Sequence, residues 1–76
     1  YKLKKYDKAK VFLKKAVQLM PSDPIVNDHF ADILWMSGEK LQARYYWNYV
    51  LKLDDAKEDL KNKIMEKILN GPSSLN

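Results

Sequence analysis

Shifted against itself by 34 positions, this sequence pairs Tyr1 with Trp35, Ala9 with Ala43, Phe12 with Tyr46, Leu13 with Trp47, Ala16 with Val50, Val17 with Leu51 and Leu19 with Leu53. No other feature constrains the fold as much, because an apolar pattern that recurs at this period calls for one helical unit used more than once. A second application of the same shift pairs Val26 with Leu60, Phe30 with Ile64, Asp32 with Glu66 and Leu34 with Ile68. The final segment therefore repeats the pattern of residues 24–36.

Within the unit the periodicity is helical. Ala9, Phe12, Leu13, Ala16, Val17 and Leu19 follow a three-then-four spacing that puts them on one stripe, with Lys residues on the other side. The stretch stops at Met20–Pro21, since proline cannot continue the hydrogen-bond ladder and pushes its predecessor out of helical geometry. Asp23 can cap a new helix, and Pro24 suits its first position. The spacing predicts a helix over Tyr6–Met20, preceded at Tyr1–Leu3 by the last turn of another. A second helix is expected over Asp23–Ser37, closed by Gly38 in a left-handed conformation. A third should run from Glu39 or Lys40 to Leu53, and a fourth from Asp55, where Asp55 and Glu58 have capping-box spacing, to Asn70. Gly71 and Pro72 end it, which leaves residues 71–76 as an expected disordered tail.

Phe30, Ala31 and Leu34, then Gly38 at a turn, then Ala43 and Trp47, form a pattern that resembles the tetratricopeptide repeat, and Tyr6, Ala9, Leu13, Ala16 and Pro21 supply part of an earlier copy. The resemblance spans roughly Tyr1 to Asn70. It implies an all-α fold of antiparallel helix-turn-helix pairs stacked as a short right-handed solenoid. Residues 1–22 would be a partial repeat, 23–54 a complete one and 55–70 a capping helix. The small residues Ala9, Ala31 and Ala43 would stand where helix backbones approach closely. Asn27 departs from the family's usual Trp, Lys40 from its Tyr and Asp55 from its closing Pro, and Met65 takes a small-residue position.

The resemblance also implies a function. A module of this kind acts as a protein-interaction scaffold, binding a peptide or partner protein through a concave surface lined by the first helix of each repeat. Asp28, Asp32 and Trp35, at i, i+4 and i+7, would line that groove together with Asn62 and Glu66. The carboxylates would attract Lys or Arg, and the family's carboxylate-binding clamp of Lys and Asn is disfavoured by their sign. The alternative is a structural piece that dimerises through an apolar edge at Phe12, Leu13 and Val17, because the first helix lacks a mate on one side.

Composition narrows the remaining classes. The chain has 76 residues, no Cys and one His, so neither a disulfide framework nor a thiolate or paired-imidazole metal site is expected, and no cofactor is. Its net charge is +4, with acidic and basic residues mixed, and all but one of its 14 basic residues are Lys. Arg44 alone offers the bidentate fork used to read guanine, so sequence-specific nucleic-acid binding is not expected. Tyr45, Tyr46, Trp47 and Tyr49 cannot form one stacking platform on a helix, because successive residues fan out by about 100°. The Lys-rich first helix reads as a solvated face, and the amphipathic last helix as an end cap rather than a membrane-surface element. His29 beside Asp28 has no nucleophile placed by spacing, so an enzyme is not expected. No apolar run approaches the roughly 18–20 residues of a membrane span, and a soluble, cytoplasmic setting is favoured. Beginning at Tyr1 without Met, inside a patterned segment, the chain reads as a piece of something longer.

Overall fold

The computed structural model describes residues 2–72, with side chains from Tyr6 onward. Those residues form an all-α structure of four helices, α1 (Lys2–Leu19), α2 (Pro24–Met36), α3 (Lys40–Leu51) and α4 (Glu58–Asn70). Each helix packs against the next in chain order, and the α2–α3 contact is the most extensive.

The joints follow from local chemistry. At the α1–α2 joint, Asp23 is the N-cap, its Oδ1 accepting from the Val26 amide at 3.0 Å, with Pro24 at the first helical position. Asn27, 1% exposed, donates its side-chain amide to the carbonyls of Pro21 (3.1 Å) and Asp23 (2.8 Å), so the turn's own carbonyls satisfy a buried polar group. At the end of α2, the Glu39 amide donates to Leu34 O (2.9 Å) and the Gly38 amide to Trp35 O (3.0 Å), the paired bonds of a Schellman motif. Gly38 has φ 88°, as the motif requires.

Three boundaries differ from the sequence reading. α1 is one continuous helix from Lys2, with no break near Leu3; residues 2–7 contain neither Gly nor Pro to interrupt it, and Tyr1 lies outside the described residues. α3 ends at Leu51, where Lys52 and Leu53 donate to Tyr49 and Val50 carbonyls (both 3.0 Å) in tighter turns. The capping box at Asp55 does not form. Ala56 turns into the core, 8% exposed, with its amide on Leu53 O at 3.2 Å, so α4 starts only at Glu58. Glu58 and Asp59 then occupy its first turn, where negative charge suits the helix dipole.

The core is centred on α2 and α3. Phe30, Ala31 and Leu34 meet Ala43, Trp47 and Val50, and α4 adds Ile64. Ala31 and Ala43 are fully buried, as close helix approach demands. Leu13 and Val17 of α1 pack only partly on this cluster, as do Leu60 and Ile68. The aromatic run divides as its geometry requires: Trp47 is buried, Tyr46 sits edge-on to Phe30 at 4.9 Å, and Tyr45 is 66% exposed. At the other end Gly71 and Pro72 are buried, which corrects the expected tail at its start: a Cβ added at Gly71 would come within 3.1 Å of the Trp35 ring. Residues 73–76 lie outside the described residues.

Candidate functional site: the shared face of α2 and α4

Asp28 and Asp32 stand one turn apart on α2 and point the same way, toward α4. Lys67 of α4 reaches both. Its Nζ lies 3.0 and 3.2 Å from the two oxygens of Asp28 and 3.1 Å from each oxygen of Asp32. The three side chains are 16%, 7% and 15% exposed, so the group is an ammonium seated between two carboxylates with little water around it.

The charges shift accordingly. Burial, and next the neighbouring Asp28 carboxylate, push the Asp32 carboxyl above its usual range, by more than Lys67 and His29 hold it down. Burial works to lower Lys67, but the hydrogen bonds and charges of Asp28 and Asp32 outweigh it and keep the ammonium above its ordinary value.

Trp35 follows on the same helix, half-buried. Its ring centroid is 5.5 Å from that of Trp47, the Gly71 backbone lies against it, and Lys40 Nζ and the Arg44 guanidinium stand over it at 5.0 and 5.4 Å. Thus all three α2 residues expected to line a groove meet groups of their own chain. Asn62 and Glu66, by contrast, are exposed on α4. His29 is exposed, and the carboxylate of the adjacent Asp28 is held by Lys67.

Lys67, which meets both carboxylates, is not among the site residues expected from the sequence. A signal for it exists. The 34-residue offset sets Lys67 against Ile33, so a cation stands where the earlier copy has an apolar residue, facing a helix with two acids one turn apart.

The other predicted surface, the edge of α1, is divided. Leu13 and Val17 pack on the core, while Phe12 is 71% and Val11 56% exposed. A cleft of about 410 Å³ separates α1 from α3, floored by Phe30 and Leu34 and spanned by Lys10 and Glu39 at 2.7 Å. Among the described residues, no group of three or more His, Asp or Glu side chains is arranged for a metal ion, and no helix is long and apolar enough to cross a membrane. Compared with models of known families, with curated proteins and with solved structures, the chain matches none.

Proposed function

We propose that this chain is a protein-interaction module of the tetratricopeptide type, which binds a basic, amphipathic helical segment of a partner protein on the outer face of α4. The 34-residue offset, the turn at Gly38 and the close contact at Ala31 and Ala43 support the repeat reading.

One observation carries the binding reading. On α2, the set Asp28, Asp32 and Trp35 receives another helix, α4, through the cation of Lys67. The offset places Asn62, Glu66 and Leu69 at the same three positions of α4. All three are exposed, Leu69 by 81%. A face of the same spacing, with Asn62, the single carboxylate of Glu66 and one large apolar anchor, is thus open on α4, and a partner helix with a Lys beside an apolar stripe suits it. Binding there needs no displacement of Lys67, whose tie to α2 is intramolecular and therefore held at a high effective concentration.

The test is titration of the chain into labelled Lys-rich amphipathic helical peptides, read by fluorescence anisotropy. Glu66→Lys removes an attraction and adds a repulsion, so affinity should fall about tenfold, equivalent to ~1.4 kcal/mol, with helicity unchanged. Equal binding by the variant and the parent chain would overturn the α4 assignment.

A further inference from the structure

We infer that Asn70 is a deamidation site kept shut by the seating of the end of α4 on Trp35, so that its conversion is an irreversible record of the time this helix end spends open. The inference is independent of what α4 binds.

An asparagine is lost in this way when the amide nitrogen of the next residue attacks its side-chain carbonyl carbon. A following glycine, with no Cβ in the way and free backbone rotation, is the most permissive neighbour. Asn27, Asn48 and Asn62 are followed by Asp, Tyr and Lys, whereas Asn70 is followed by Gly71. The side-chain amide of Asn27 is tied to the carbonyls of Pro21 and Asp23, and that of Asn48 to Arg44 O at 2.9 Å. Asn70 is exposed, at the last position of α4.

The chemistry needs only water. The Gly71 nitrogen gives up its proton to solvent base and bonds to Cγ of Asn70, while the Cγ–Nδ2 bond breaks and the leaving nitrogen takes up a proton as ammonia. The product is a five-membered cyclic imide. Water then adds to one of its two carbonyl carbons and opens the ring, which leaves either an aspartate at position 70 or an isoaspartate, with the main chain rerouted through the side chain.

The seated helix opposes the first step twice. The Gly71 amide donates to Lys67 O at 2.7 Å, so its proton is held and its nitrogen is fixed in the last turn of α4. Ring closure also requires Asn70 to leave helical geometry, and that swing carries Gly71, buried with its backbone against the Trp35 ring, off its contact. The reaction is thus confined to moments when the end of α4 opens locally. Its products do not reseat as before. Isoaspartate lengthens the main chain between α4 and Gly71, and either product puts a negative charge at the helix end where the dipole disfavours it.

The experiment is incubation of the whole chain at mildly alkaline pH, folded and in concentrated guanidinium chloride, with proteolytic peptides weighed over time so that each asparagine is followed separately. In denaturant, Asn70 should convert faster than Asn27, Asn48 and Asn62. In the folded chain its rate should fall about tenfold or more, because the helix end must first open. Trp35→Ala removes the ring on which Gly71 rests and should raise the folded rate at Asn70 several-fold while Asn48 stays unchanged. Trp35→Leu takes its place if circular dichroism shows lost helicity. Conversion of Asn48 or Asn62 as fast as Asn70 in denaturant overturns the site. Equal rates at Asn70 in the folded and unfolded chain overturn the lock. A Trp35 variant that leaves Asn70 unchanged, or that speeds every asparagine alike, overturns the part given to the seat on Trp35.

Discussion

Lys67 is a single side chain on which two carboxylates depend. Removing it leaves Asp28 and Asp32 close together and poorly hydrated, and an uncompensated charge of this kind is more damaging than the intact pair is stabilising. Lys67→Met should lower the stability to urea by about 2–3 kcal/mol. Adding Asp28→Asn and Asp32→Asn to it should restore most of that loss, as denaturation midpoints followed by circular dichroism would show. The pH dependence has a direction for each group. Asp32 sits above its unfolded value, so the native state holds its proton more tightly, and its contribution is fully present below the unfolded carboxyl range and lost as pH rises through the raised value. From pH 7 down to about 4, the parent should therefore gain thermal stability relative to Asp32→Asn. Lys67 is also raised, so its contribution persists up to the ordinary Lys value of 10.5 and disappears above it as the folded value is passed. A thermal-melting series of both variants against pH checks both signs.

At the scale of elements, the two glycines with positive φ separate backbone strain from crowding. A Cβ at Gly38 meets nothing within 4 Å, whereas one at Gly71 would crowd the Trp35 ring at 3.1–3.3 Å. Gly38→Ala should cost about 1 kcal/mol from conformation alone. Gly71→Ala should cost about 1–2 kcal/mol more, because the Trp35 ring or the end of α4 must shift, and parallel urea titrations of the two variants would reveal the difference. The elements read from sequence most faithfully are those whose signals are local. Asp23 with Pro24 marks the start of α2 and Gly38 its end through contacts within a few residues, and the structure keeps both. The start of α4 was not legible at Asp55, because the position of that helix follows from Ala56 entering a core built by α2 and α3. Likewise the repeat register located Asp28, Asp32 and Trp35 on one face, but not the cation that meets them from 35 and 39 residues away. A pattern along one helix says what faces outward together; what it faces is set by packing between helices.

For the molecule as a whole, the core is small and concentrated in two helices. A domain of this size rarely has more than ~3–5 kcal/mol in hand. Trp47 is fully buried at the centre, and Trp47→Ala removes about 3–5 kcal/mol. That variant should be largely unfolded at 25 °C by circular dichroism. The outer helices are less firmly held, α1 by the partly buried Leu13 and Val17, and α4 by Ile64, the Lys67 seat and the closure of Gly71 on Trp35. This last closure has an optical consequence. Indole emission shifts to longer wavelength when water reaches the ring, and the Trp35 ring is shielded on one side by the end of α4 and attended by Lys40 and Arg44. With Trp47→Phe leaving Trp35 as the sole indole, the colour of the fluorescence becomes a gauge of whether the last helix is seated. On heating, it should redden before the helical signal falls.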